Sequence, residues 1–152
     1  MADNFATNPG SGGSTFASDD VGGVQYPRIK IAVGPDGVAN DGYTPFKLQS
    51  AATTNATSVK ASAGEVGLIV AFNVATTVRY LKFYNKASAP TVGTDVPVLV
   101  LPIPASSNGF VISPSEGIAF STGIALAITG AVADSDTTAV AANDVVLSLA
   151  YA

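Results

Sequence analysis

From about Ala56 to the end of the chain, short apolar runs recur at roughly ten-residue intervals between turn signals, with no sustained helical repeat. This pattern predicts strands at 57–62, 66–73, 77–85, 96–103, 109–113, 117–120, 124–129 and 144–151. Several alternate well. Val66, Leu68, Val70 and Phe72 fall on one face, as do Ile124, Leu126 and Ile128, and Val145, Leu147, Leu149 and Tyr151. Asn108-Gly109 is a tight-hairpin signal. The longest loop, residues 133–144, has room for one helical turn. Short antiparallel strands in this number predict an all-β protein, an antiparallel β-sandwich of jelly-roll type.

Composition agrees with strands. Apolar residues make up 47% of the 152-residue chain and charged residues 12%, about half the usual share. Ala, Val, Gly and Thr dominate, a mixture poor in the residues that favour surface helices. The net charge of −4 is uneven: residues 1–86 hold all seven Lys and Arg against six acids, and residues 87–152 hold five acids and no base. No basic patch is available for nucleic acid. The apolar runs GLIVAF and VPVLVLPIP are too short for a membrane-spanning helix. Met1-Ala2-Asp3 opens no signal-peptide pattern, so the expectation is a soluble, non-secreted chain.

The first 23 residues are rich in Gly, Ser, Asn and Asp, with only Phe5, Phe16 and Val21 as apolar anchors, and alone they read as disordered. A short strand, YPRIKIAV, comes next, with Ile29, Ile31 and Val33 on one parity and Arg28 and Lys30 on the other. GPDG and NDGY mark turns, and residues 49–58 read as a small polar linker. The expected division is an extended N-terminal arm over 1–55 and a sandwich over 56–152.

Reactive groups are scarce. The chain has neither His nor Cys, which removes the commonest general base, metal ligand and thiol nucleophile. None of the five lysines lies in a Ser-x-x-Lys pattern. Glu65 and Glu116, the only glutamates, sit beside Gly at predicted turns and read as solvated turn acids; a glycosidase pair is the alternative. Asp134, Asp136 and Asp144 present oxygen ligands suited to calcium, but without the spacing of an EF-hand loop they read first as an acidic loop. No catalytic residue, metal or cofactor is expected. On 77–85, Leu81 and Phe83 read as core, and Tyr80, Lys82 and Tyr84 form an amphipathic stripe on the other parity. That stripe is a solvated face or a protein interface, with a sugar-binding platform as a third, weaker reading because the chain has no Trp.

The leader ADNFATNPGSGGSTFASDDVGGVQYPRIKI resembles the opening of virion structural proteins of tailed bacteriophages. RYLKFYNKASAPTVGTDVPVLVLPIPA, EGIAFSTGIALAITG and DTTAVAANDVVLSLAYA resemble a small β-sandwich module that recurs in them. Residues 34–60 match nothing in that pattern. The resemblance implies a virion component without catalytic residues, assembled in the host cytoplasm.

The run at 96–103 is apolar on both parities, Val96, Val98 and Val100 on one and Leu99, Leu101 and Ile103 on the other. A strand of this kind needs cover on both sides. In a virion protein, one face would meet the core and the valines would meet a neighbouring subunit, most simply in a trimer, while Pro97, Pro102 and Pro104 discourage open-ended edge pairing. The expected function is a capsid decoration or cement protein binding the major capsid protein or another virion protein. Its contacts would come from the arm (Phe5, Phe16, Arg28, Ile29, Lys30, Ile31) and the Tyr80–Lys82–Tyr84 stripe. The alternative is a fibre-type adhesin that binds a host glycan.

Overall fold

The computed structural model describes residues 4–6, 15–27, 42–107 and 109–152. The chain divides into two units, Met1–Ala32 and Val33–Ala152.

The first unit contains β1 (Asn4–Ala6), β2 (Thr15–Val21) and β3 (Val24–Pro27), antiparallel in the order β1-β2-β3. Val21 and Val24 pair across Gly22-Gly23, whose φ values of +64° and +85° make a two-residue hairpin turn that glycine adopts without strain. Thus the segment expected to be an unstructured arm contains a hairpin. Composition alone makes this Gly-Gly look like linker; its place between Val-containing strands makes it a turn. Of the expected strand YPRIKIAV, Tyr26 and Pro27 belong to β3, and residues 28–33 lie outside the described residues.

Among the described residues the second unit contains nine strands: β4 (Thr44–Gln49), β5 (Thr57–Lys60), β6 (Gly64–Asn73), β7 (Arg79–Asn85), β8 (Leu99–Ile103), β9 (Phe110–Ile112), β10 (Ile118–Phe120), β11 (Ile124–Thr129) and β12 (Val145–Tyr151). The first sheet runs β10-β6-β12-β4, with β9 also paired to β6; the second runs β5-β11-β7-β8. All the pairings are antiparallel. β9 and β10 are two halves of one edge strand. Ile112 sits opposite Ile69 and Ile118 opposite Val66, and the surplus residues loop out around Pro114 to Gly117, which has φ +73°. With those halves counted as one, the chain crosses between sheets at every connection except β7 to β8, and eight strands in this order form a jelly roll. The segment at 133–144 contains no helix.

Apart from β8, which begins three residues later than expected, the strands lie within a residue or two of their expected places, with two further differences. β4 is in the sandwich, paired along its whole length to β12 (Leu48 opposite Leu147, Phe46 opposite Leu149), so the sandwich begins before the boundary expected at residue 55. The 49–58 segment is packed rather than free. The Ser50 hydroxyl donates to Ala141 O and accepts from Val145 N, and Asn55, at φ +52°, ties its side chain to Ala51 and Thr53.

The second difference is in β6. Gly67 is an extra residue between Val66, opposite Tyr151, and Leu68, opposite Ala150. Such a bulge reverses the inside–outside alternation of the residues beyond it. Val66, Ile69 and Ala71 therefore point into the core, and Leu68, Val70 and Phe72 point out of the sandwich, so the face expected to run from Val66 to Phe72 is divided. A Cβ at Gly67 would coincide with the Tyr43 ring, which lies across this position.

The core lies between the sheets: Ile69, Leu147 and Leu149 from the first, Leu81, Phe83, Leu126, Ile128 and Ile103 from the second, closed at one end by Phe120, whose ring centroid is 5.8 Å from that of Phe83. The β10–β11 turn is equally tight. A Cβ at Gly123 would lie 2.7 Å from Ala87 Cα, 2.7 Å from Lys86 O and 2.8 Å from Lys60 O, all backbone atoms that cannot swing aside. Gly123→Ala is expected to lower stability by about 1–3 kcal/mol through overpacking. Gly67→Ala, which meets only the half-exposed Tyr43 ring, is expected to cost clearly less. Urea denaturation of both variants measures the difference.

Candidate interaction surfaces

The second sheet covers its own outer face. Tyr80, Lys82 and Tyr84 stand on the outward parity of β7, where Lys82 is opposite Ala127 and Tyr84 opposite Ala125 on β11. Two connections, residues 86–98 and 130–144, lie over them. Val92 packs on Tyr84, Ala125 and Ala127, and the two connections meet where Gly93 abuts Ser135 and Thr137. Lys82 is 0% exposed and Tyr84 1%, while Tyr80 is half-buried. The expected exposed stripe is therefore corrected to a covered face: the small side chains of Ala125 and Ala127 leave room for the long ones of Lys82 and Tyr84 to lie flat beneath the loops.

The polar ends beneath this cover are sparsely served. Lys82 Nζ donates to Ala133 O at 2.6 Å, and the Tyr84 hydroxyl has no hydrogen-bond partner among the described residues. Burial, reinforced by the negative charges of Asp134 and Asp95, raises the Tyr84 hydroxyl pKa above its ordinary value.

Each connection is fastened by a carboxylate. Asp95 accepts from Lys86 Nζ at 2.5 Å and from Thr91 N at 2.7 Å, and these bonds hold its pKa below the usual range. Burial opposes the charge on Asp136, but hydrogen bonds from the Thr138 hydroxyl (2.7 Å) and Ala131 N (2.9 Å) outweigh it and hold its pKa low as well. Asp144 Oδ2 receives Arg79 Nη2 at 2.6 Å, Arg79 Nε at 3.2 Å and Ala141 N at 3.1 Å. The three aspartates considered as calcium ligands thus have separate surroundings: Asp144 is held by Arg79, Asp136 closes its own loop and Asp134 is exposed. Among the described residues no group of three acidic side chains is placed to hold a metal ion.

Val96 and Val98 precede β8 and are 71% and 61% exposed. Beside them a cavity of about 150 Å³ is lined by Tyr84, Asn85, Lys86 and Asp95 as well as the two valines. Val100 differs from the grouping expected for it. It sits opposite Lys82 and is half-buried on the covered face. Leu99, Leu101 and Ile103 pack on the core as expected.

On the outer face of the first sheet, apolar side chains remain exposed. Leu68, Val70 and Phe72 of β6 lie there with Val111 of β9 and Val146 of β12, Phe72 being 42% and Val111 66% exposed. Lys47, opposite Ser148, and Glu65, opposite the exposed Ala119 of β10, are the charges at the described outward strand positions of this sheet. Unbroken alternation along β6 would assign three of these residues to the core. The available signal against it is Gly67, a glycine inside a strand.

The glutamates are near one another in the fold. The Glu65 carboxyl carbon is 3.1 Å from where a Cβ at Gly117 would stand, next to Glu116 in the chain. A hollow of about 310 Å³ at this end is lined by Glu65, Gly64, Phe120, Asn85 and Ser121, without Glu116. Asn85 is already committed, donating to Ser121 Oγ and accepting from Thr122 N, both at 2.8 Å. In the first unit, the backbone register places Phe5 opposite Phe16. Arg28, Ile29, Lys30 and Ile31 lie outside the described residues. No model of a known protein family and no curated protein matches the chain.

The titrations have defined signs. Tyr84, with a raised folded-state pKa, contributes stability that is present below the ordinary tyrosine value of about 10 and lost as pH rises through its own value. Asp95 and Asp136, with lowered values, contribute stability that is present above the ordinary carboxylate value of about 3.9 and lost as pH falls through theirs. In ultraviolet titration, Tyr84 is expected to ionise above the ordinary tyrosine value, together with alkaline loosening of the cover. Tyr84→Phe, which removes a buried hydroxyl without breaking a bond, is expected to leave urea stability unchanged or raise it by up to about 1 kcal/mol. A loss of more than that would mean the hydroxyl has a partner.

Proposed function

We propose that the protein is a non-enzymatic virion structural protein, a capsid decoration or cement component that assembles as a homotrimer and stabilises a phage head by non-covalent contacts with the major capsid protein. The observation that carries this reading is the contrast between a closed core and the exposed apolar side chains left outside it: Phe72 and Val111 on one side of the sandwich, Val96 and Val98 on the other. An apolar surface of this kind on a small domain marks a place for a partner. The jelly roll adds support by analogy, since viral capsid domains use it, as do lectins. A separate N-terminal unit, tethered to the sandwich, offers a second point of attachment, and many symmetric copies would multiply modest contacts. A partner that binds only the assembled shell stabilises it by mass action.

Purified protein added to heads that lack it is expected to bind to saturation at a fixed ratio and to raise the temperature at which the shell releases its contents. Deleting residues 2–32 is expected to leave the sandwich folded and to reduce head binding at least tenfold. Glycan-array binding without head binding would favour the adhesin instead.

A further inference from the structure

The cover over the second sheet is fastened to itself more than to the sheet. Residues 88–97 and 131–139 run between fixed points: Lys86 N donates to Gly123 O, the Ser58 hydroxyl to Ala87 O, Val98 N to Phe83 O and Val140 N to Thr53 O. Between those points the hydrogen bonds close mostly within one connection. Thr94 N and Asp95 N donate to Thr91 O, and Thr91 N to the Asp95 carboxylate. Asp136 N donates to Ala133 O, and Ala131 N and the Thr138 hydroxyl donate to the Asp136 carboxylate. Less reaches down to the sheet. Pro90 is buried and Val92 packs on Tyr84, Ala125 and Ala127. The Thr129 hydroxyl donates to Ala131 O where the second connection begins, and Lys82 Nζ donates to Ala133 O in its middle. We infer that the cover is a conformational device, a hinged flap that opens as a unit while the two sheets stay folded. Its opened form is the minor one and presents Lys82 and Tyr84 to solvent.

The polar groups beneath the flap favour opening. An ammonium has three N–H donors, and Lys82 Nζ has one acceptor among the described residues. The Tyr84 hydroxyl has none. Both residues are covered, at 0% and 1% exposure. A polar group buried without partners costs free energy that hydration returns once the group is exposed. Opening gives up the Lys82 bond and the Val92 contact, while the bonds inside each connection travel with it unbroken. Little else is lost along 131–139, where every residue is exposed except the half-buried Asp136. Leu81, Phe83, Leu126 and Ile128 face the other way, into the core between the sheets, and keep their packing. The two connections move together because they touch: a Cβ at Gly93 would lie 2.6 Å from Thr137 Cγ2 and 3.2 Å from Ser135 O. Segments with few buried apolar contacts open locally ahead of the whole fold.

The full-length chain is treated with an amine-acylating succinimidyl ester, and mass spectrometry reads the rate at Lys82, divided by the rate for a free lysine. Hydrogen exchange of the β11 amides gives the opening of the sheet itself under the same conditions. Lys82 is expected to react through an opening at least a hundredfold more frequent than the one that exchanges β11. Urea below the unfolding midpoint is expected to accelerate β11 exchange steeply and Lys82 acylation only slightly, because a local opening exposes little surface. Lys82→Met, shown by circular dichroism to be folded, removes the underserved ammonium and keeps the apolar stem. It is expected to slow nitration of Tyr84 by tetranitromethane severalfold. The proposal is overturned if Lys82 reacts only in step with β11 exchange at every urea concentration, which would mean that the cover opens only with the sandwich. It is also overturned if Lys82→Met leaves Tyr84 nitration unchanged or faster, which would make the ammonium a latch. The acylation measurement uses the parent chain alone and decides the matter if Lys82→Met does not fold.

Discussion

Each strand of a sandwich has a second face, and how this chain treats the outer faces of its two sheets determines most of its structure. β7 and β11 are apolar or occupied on both parities. With Leu81, Phe83, Leu126 and Ile128 given to the core, Lys82, Tyr84, Ala125 and Ala127 need cover from elsewhere. Residues 86–98 and 130–144 supply it. That requirement explains why these connections are long and why each has an aspartate bound to its own backbone. It also explains why Arg79, at the start of β7, reaches Asp144 at the entry to β12. An irregular segment over a sheet has no ladder to satisfy its backbone groups, and the carboxylates of Asp95, Asp136 and Asp144 do part of that work.

Among the described residues no long connection lies over the outer face of the first sheet, where Phe72 and Val111 are exposed. Its apolar character originates at Gly67. One extra residue turns Leu68, Val70 and Phe72 away from the core and gives the inward positions to Ile69 and Ala71, while Tyr43 lies over the bulge. Removal of that bulge would return Leu68, Val70 and Phe72 to the interior and turn Ile69 and Ala71 outward. The bulge therefore links a local backbone irregularity to the surface on which the proposed assembly depends.

Much of this is legible in the sequence. Strand positions come from alternation between turns, and the core assignments of Leu81, Phe83, Ile124, Leu126, Ile128, Val145, Leu147 and Leu149 rest on that period alone. Four features are not legible, each for a physical reason. β4 carries only Phe46 and Leu48 on its inward side, with a proline at its second position, too little pattern to separate it from a linker. The reversal at Gly67 is fixed by which residues of β12 lie opposite, information a local window lacks. The burial of Lys82 and Tyr84 depends on loops distant in the chain; the one local sign of it is IALAIT, whose Ala125 and Ala127 make β11 apolar on both faces. The pairing of Phe5 with Phe16 across β1 and β2 is equally hidden, because a segment rich in Gly, Ser and Asn lacks an alternating signal.

The central claim is that the outer face of one sheet is covered by the chain's own connections, while Phe72 and Val111 on the outer face of the other are exposed. Side-chain footprinting with a diffusible carbene, read out by mass spectrometry, tests it on the free monomer and on the assembled form. The account predicts strong labelling at Phe72 and Val111 in the monomer, at least fivefold protection there on assembly, and low labelling at Tyr84 in both states. Ready labelling of Tyr84 in the folded monomer, or labelling of Phe72 and Val111 that assembly leaves unchanged, would contradict it.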